Sequence, residues 1–236
     1  MSAGRRPRLI VLPPSHFCER ARWALDHAGT SYTEKRWAVG VHVPLARRLA
    51  SGTTLPILDT GTEVIQGSGR ILDWTGLPGA DPALEARFEE RIGPLARRYL
   101  YAATLNDKRS GVQGELFDGV PSWQAALGRL AWPATRRAMV AAMDARAALL
   151  PALEQEIAAE LDWFDQALAG RRYLEGDRFG RADITAASLL APLARPAACP
   201  LYRRGGLPAP IEDTLARWGA RPSLRWVERT YAEHRR

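Results

Sequence analysis

Every segment of this 236-residue chain that reads as β-strand lies before residue 67, and every regular pattern beyond it is helical. A doubly wound sheet, in which strands and helices alternate to the end, does not fit such segregation. The expectation is an α/β domain with a small sheet, followed by an all-helical domain.

Leu9-Ile10-Val11-Leu12 is an unbroken apolar run closed by Pro13-Pro14, the pattern of a strand covered on both faces. From Ser15 onward Ala21, Ala24, Leu25 and Ala28 recur at helical spacing, and Gly29 stands where a helix end needs a left-handed residue. Ser31 to Trp37 is rich in β-formers and is expected to pair parallel to the first strand, since a helix separates the two. A Pro- and Arg-containing stretch without regular pattern follows. Leu55 to Asp59 and Glu63 to Ile65 then read as a hairpin across Thr60-Gly61-Thr62, and Gly67-Ser68-Gly69 opens a short helix through Ile71, Leu72 and Trp74 that ends near Gly76. The order β-α-β, irregular segment, β-β-α is that of a ferredoxin- or thioredoxin-type domain.

Leu77-Pro78-Gly79-Ala80-Asp81-Pro82 reads as a linker. Beyond it Leu84, Phe88, Ile92, Leu95 and Tyr99 share one helical face, with Pro94 expected to kink or interrupt that helix. Leu153, Ile157, Leu161, Phe164 and Leu168 form a cleaner stripe, and later helices carry Ile184, Ala187 and Ala191, then Ile211, Leu215 and Trp218, then Leu224, Val227 and Tyr231. Between Arg109 and Trp132 the pattern dissolves among Gly111, Gly114, Gly119 and Pro121, as in an excursion between helices. Ala141 to Ala148 is good helix-forming sequence.

The formal charge of +7 would suit a nucleic-acid partner, because arginine clusters neutralise phosphates. The pairs Arg47-Arg48, Arg97-Arg98, Arg136-Arg137, Arg171-Arg172 and Arg203-Arg204 are instead spread along the chain, which reads as solvated helix faces and no nucleic-acid partner. Cys18 and Cys199 are far apart, and His16, His27, His42 and His234 lack ligand spacing, so neither a disulfide scaffold nor a metal site is expected. No apolar run approaches the roughly 18 residues of a membrane span. Arg5-Arg6-Pro7 leads straight into the first strand, and the chain is expected in the cytoplasm without a membrane partner.

The most informative segment crosses the junction of the first strand and helix. A helix start presents unpaired N–H groups and a partial positive charge, which stabilise a sulfur anion placed there. Ser15 is also a preferred capping residue, although no Glu or Gln stands three residues on to complete a capping box. Cys18 has no cysteine partner at position 15, so an internal thiol–disulfide cycle is unavailable and the residue is expected to pack as a small apolar side chain.

Pro14-Ser15-His16-Phe17-Cys18-Glu19-Arg20-Ala21-Arg22 resembles the C-P-F-C/S-x-R-x-R start of glutathione transferases and glutaredoxins, with Ser15 at the reactive position and Cys18 at the resolving one. Thr54-Leu55-Pro56-Ile57-Leu58 resembles the transferases' cis-proline strand entry, where the residue before proline pairs through its backbone with the cysteinyl part of glutathione. Gln66-Gly67-Ser68-Gly69-Arg70-Ile71 resembles their Glu/Gln-Ser-x-x-Ile segment, whose Ser hydroxyl and helix-start N–H groups hold the γ-glutamyl carboxylate. Ser68 matches, but Gly67 stands at the acidic or amide position and Gln66 is displaced by one. Either Gln66 reaches the γ-glutamyl ammonium from a shifted backbone, or that contact is lost. Phe179-Gly180-Arg181-Ala182-Asp183-Ile184 resembles the F-S/T-x-A-D-I folding motif, with Asp183 accepting backbone N–H bonds and Gly180 in place of the usual hydroxyl cap.

The resemblance covers most of the chain. It implies a thioredoxin-like, glutathione-binding domain over residues 1–78 and an all-helical domain over residues 82–236 that walls an apolar electrophile pocket. It further implies Ser15 as the catalytic residue and Phe17, Leu55, Pro56, Gln66, Gly67 and Ser68 as substrate-binding residues. Ser15 would donate to a thiolate rather than attack as a nucleophile. Lowering a thiol pKa from about 8.5 by about two units requires about 2.7 kcal/mol, within reach of a hydroxyl donor aided by helix N–H groups. The implied activity is conjugation or reduction of a small apolar electrophile, as in detoxification, with glutathione as co-substrate, no metal, and a homodimer by analogy. The alternative is a ligand- or protein-binding module of the same fold without turnover.

Overall fold

The computed structural model describes residues 5–79, 81–107, 110–199, 201 and 206–235. Ala80 of the expected linker, Arg109 at the head of the patternless stretch and the pair Arg203-Arg204 lie outside the described residues.

The first part of the chain runs β1 (Arg8–Val11), α1 (His16–His27), β2 (Thr33–Arg36), α2 (His42–Arg47), β3 (Ile57–Asp59), β4 (Val64–Gln66) and α3 (Ser68–Trp74). The four strands form one mixed sheet in the order β2-β1-β3-β4, with β1 parallel to β2 and the other neighbours antiparallel. This is the thioredoxin-like arrangement. β1 lies inside the sheet with Leu9, Ile10 and Val11 wholly buried, which is why its sequence is continuously apolar rather than alternating. β2 forms an edge and exposes Thr33, Glu34 and Lys35, charges that discourage pairing with another sheet. Cys18, Ala21 and Leu25 of α1 and Ile71 of α3 complete the same core. The stretch between β2 and β3, which shows no pattern in sequence, contains α2. Its six residues are too few to display periodicity, and Pro44 sits in its first turn, where a missing N–H costs no hydrogen bond.

Beyond α3 come α4 (Pro82–Ala86), a π-helical turn (Arg87–Ile92), α5 (Gly93–Thr104), α6 (Val112–Leu116), α7 (Ser122–Leu130), α8 (Trp132–Met143), a 3-10 turn (Ala147–Leu149), α9 (Leu150–Leu168), α10 (Arg181–Ala194), α11 (Ala209–Gly219) and α12 (Pro222–His234). Pro94 does interrupt the α-helical pattern: the wider turn precedes it, so the absent N–H falls in the first turn of α5. The Arg109 to Trp132 stretch holds α6 and α7, neither of which its sequence pattern announces.

The Ala-rich run is a correction to the expectation of a helix over Ala141 to Ala148. α8 stops at Met143, and Asp144 adopts a left-handed φ of 47°. Arg98 and Arg146 both bond its carboxylate, and Arg98 also donates to its carbonyl oxygen at 3.1 Å. These contacts hold a conformation that helix propensity disfavours.

The chain divides into two compact units. One runs to Leu77 and also includes Gln113–Thr135; the other comprises Pro78–Val112 and Arg136 to the end. The later segment joins the first unit through Gln124, a buried side chain whose Oε1 accepts the Ala38 N–H at 2.9 Å. In the second unit α10 is buried along almost its whole length, from Ala182 to Leu193. The Asp183 carboxylate accepts the N–H groups of Leu174 and Gly180, each at 2.9 Å, so the helix start is capped by a side chain inside it although Gly180 has none to offer. Phe164 packs edge-on against both Phe88 and Trp226. Among the described residues no helix is long and apolar enough to cross a membrane.

Candidate functional site

Ser15 ends the Pro-Pro turn after β1 with extended backbone, φ −82° and ψ 119°, and its Oγ accepts the Cys18 N–H at 3.3 Å. That bond uses a lone pair and leaves the hydroxyl proton available for donation. Capping therefore does not preclude donation by the same side chain. Phe17, in the first turn, is half-buried with its ring centroid 4.6 Å from that of His16.

Cys18, three residues on from Ser15, is wholly buried in the sheet core. Burial pushes its thiol pKa up, against the opposing pull of Arg22 and the bond to Ser15. Arg22 is itself buried and donates to Glu34 of β2 through Nε and Nη2. Burial alone would raise the Glu34 pKa, but the bonds from Arg22 and Arg36 outweigh it and hold the carboxyl below its ordinary value.

The Leu55–Pro56 peptide is cis. The Pro56 carbonyl accepts the Gly67 N–H at 3.0 Å, which joins the entry of β3 to the exit of β4. Gly67 has φ 99° and ψ 140°, a conformation open to glycine and strained for any L side chain. The family's acidic or amide residue is thus replaced by the residue this backbone favours.

Ser68 begins α3 and is only 2% exposed, and its Oγ has no hydrogen-bond partner among the described residues. An unsatisfied buried hydroxyl costs about 1–3 kcal/mol, so an acceptor or donor supplied from elsewhere would recover that energy at Ser68.

Gln66 behaves differently from its neighbours. Its Oε1 accepts the Gly52 N–H at 3.0 Å and its Nε2 donates to the Thr54 carbonyl oxygen at 2.8 Å. The side chain is committed to the loop that leads into the cis proline.

Strand register gathers these positions. Ile10 of β1 faces Ile57 of β3, and Ile57 faces Gln66 of β4, so the exit of β1, the entry of β3 and the exit of β4 share one end of the sheet. The start of α1 with Ser15, the Leu55–Pro56 bond and the start of α3 with Gly67 and Ser68 therefore stand at that end. Gly52 and Thr54 belong to the same neighbourhood but carry no sequence signal. They are 14 and 12 residues from Gln66, and only the hairpin register reveals the contact.

A thioredoxin-like domain with a cis proline and two helix starts at one sheet end, followed by an all-helical domain, defines the class of protein. Residues 9–76 match the glutathione S-transferase N-terminal domain and residues 127–209 the glutathione S-transferase C-terminal domain. The chain belongs to the glutathione S-transferase-like family. No curated protein matches its sequence. Among solved structures, a glutathione S-transferase of Ceriporiopsis subvermispora in complex with glutathione is 15% identical, covering 98% of each chain with a TM-score of 0.64. The beta-etherase LigF of Sphingobium sp. strain SYK-6 is 14% identical over 96% of this chain and 100% of that one, with a TM-score of 0.58. A theta class glutathione S-transferase of Xanthomonas axonopodis pv. citri with glutathione bound is 19% identical over 93% of this chain and 95% of that one, TM-score 0.55. At these identities the likeness is one of fold.

Proposed function

We propose that the chain is a glutathione transferase in which the first domain binds glutathione and Ser15 holds the thiolate by donating its hydroxyl proton. The observation that carries this reading is the convergence of three elements at one sheet end: the Ser15-capped start of α1, the cis Leu55–Pro56 bond and the start of α3 with an unpartnered Ser68 hydroxyl.

Each element suits one part of the tripeptide. Leu55 offers backbone groups to the cysteinyl residue, and Phe17 and Pro56 flank it. Ser68 Oγ and the N–H groups at the start of α3 suit the γ-glutamyl carboxylate, because a helix start favours an anion. Gln66 contributes by fixing the loop before Pro56. The thiol proton leaves to solvent, the Ser15 donor and the α1 start lower the cost of the resulting charge, and the sulfur lone pair then forms a bond to the electrophilic carbon as that carbon's leaving group departs with its bonding pair. A small apolar electrophile is the substrate class we assign. The solved glutathione complexes of structurally similar transferases support glutathione as the thiol.

The test is Ser15→Ala. Loss of one hydrogen bond to a charged sulfur should raise the thiol pKa of bound glutathione and lower turnover about tenfold to hundredfold. Unchanged turnover with an unchanged thiolate absorbance would remove Ser15 from the mechanism.

A further inference from the structure

The second compact unit contains an open cavity of about 340 Å³ beside the end of α5 and the turn after α8. Three arginines line it, Arg136, Arg137 and Arg146, against a single carboxylate, Asp144. Val140 and Ala141 add an apolar strip. The volume is that of a small-molecule site.

The wall is built rather than incidental. Arg136 Nη1 donates to the Leu105 carbonyl at 2.7 Å, which holds its guanidinium against the end of α5. Asn106 Nδ2 donates to the carbonyls of Ala102 and Ala145, both at 2.9 Å, and ties the turn to the same helix end. The Asp144 carboxylate is shared by Arg98 and Arg146 and has little left to offer a third cation. Arg137 makes no hydrogen bond or ion pair among the described residues.

An arginine presents five N–H donors in a planar fork that fits carboxylate or phosphate oxygens. Converging cations with so little countercharge concentrate anions in a concave site. We propose that this cavity binds a small polyanion bearing phosphate or carboxylate groups, with Arg137 as the principal contact and Arg136 and Arg146 flanking it. The proposal is independent of the Ser15 reading.

The experiment is calorimetric titration of the full chain with pyrophosphate and, separately, citrate at constant ionic strength, with and without saturating glutathione. Binding of either probe is expected, and the tighter one names the ligand chemistry. Arg137→Ala should weaken binding about tenfold, as loss of a charge-assisted contact does. Arg48→Ala removes the same charge from an exposed site in the other unit and should leave it unchanged. Absence of binding at millimolar probe, equal weakening by the two variants, no weakening by Arg137→Ala, or displacement of the probe by glutathione would each overturn the proposal.

Discussion

Gln66 and Thr54 are joined by a hydrogen bond of 2.8 Å from the side-chain amide to the backbone carbonyl, and the same amide accepts from Gly52. One side chain at the end of β4 thereby braces the loop that enters the cis proline. Gln66→Glu keeps the size and the Gly52 bond but sets a carboxylate oxygen against the Thr54 carbonyl. The expected result is a loss of about 1–3 kcal/mol of stability and a higher KM for glutathione. Gly52→Ala should act similarly, because its Cβ would stand 2.9 Å from Gln66 Oε1. Denaturant unfolding and glutathione-dependent kinetics measure both effects, and a variant with only a stability loss would separate the brace from binding.

Ser68→Ala should split stability from binding in the opposite sense. The hydroxyl is buried and unpartnered, so its removal leaves the melting temperature of the free protein unchanged or raised. Glutathione affinity should fall about tenfold if that hydroxyl meets the γ-glutamyl carboxylate. Equal glutathione-induced thermal shifts in the two proteins would contradict the assignment.

Asp183 links α10 to pH. Burial is the largest influence on its carboxyl and, despite three backbone hydrogen bonds that pull the other way, pushes its pKa up to about 6. A folded-state value above the ordinary one of about 3.9 means that protonation favours the folded chain. This contribution is complete below about pH 4 and is lost as pH rises through about 6. Asp183→Asn should flatten the pH dependence of unfolding in that window. It should also cost about 1–3 kcal/mol near neutrality, since an amide oxygen accepts fewer of the N–H groups now bonded.

Cys18 should be inert in the native protein. It is 0% exposed and its thiol pKa is raised by burial, so thiolate is scarce and inaccessible. Peptide-resolved alkylation should label Cys18 only after denaturation, and Cys18→Ala should leave glutathione conjugation unchanged. Rapid native labelling would contradict this.

Much of the site was legible because short motifs fall at turns that the chain order itself imposes. Ser15 after a closed apolar strand, Pro56 at a hairpin entry and Ser68 at a helix start are each placed by local sequence, while the roles proposed for them rest on the family resemblance. Gln66 is the counterexample. Its sequence neighbours suggest a ligand contact, whereas strand register turns its amide to Gly52 and Thr54. Gln124 is another, a buried amide bonded to Ala38 from a segment whose sequence pattern shows no element at all.

Hydrophobic periodicity, proline and glycine placement and capping residues act over a few residues. Those local forces allowed the sequence alone to determine the strands, the first helix, the hairpin and the helical character of the second half, whereas the cis proline was expected only from the family resemblance. Tertiary structure decided what local energies leave nearly balanced. Arg98 and Arg146 stop an Ala-rich helix at Asp144, and a π-helical turn accommodates Pro94. Residues 113–135 pack with the sheet unit rather than with the helices that flank them in sequence. The Arg98–Asp144 and Gln124–Ala38 contacts join residues 46 and 86 positions apart, and each is worth about as much as the local preference it opposes.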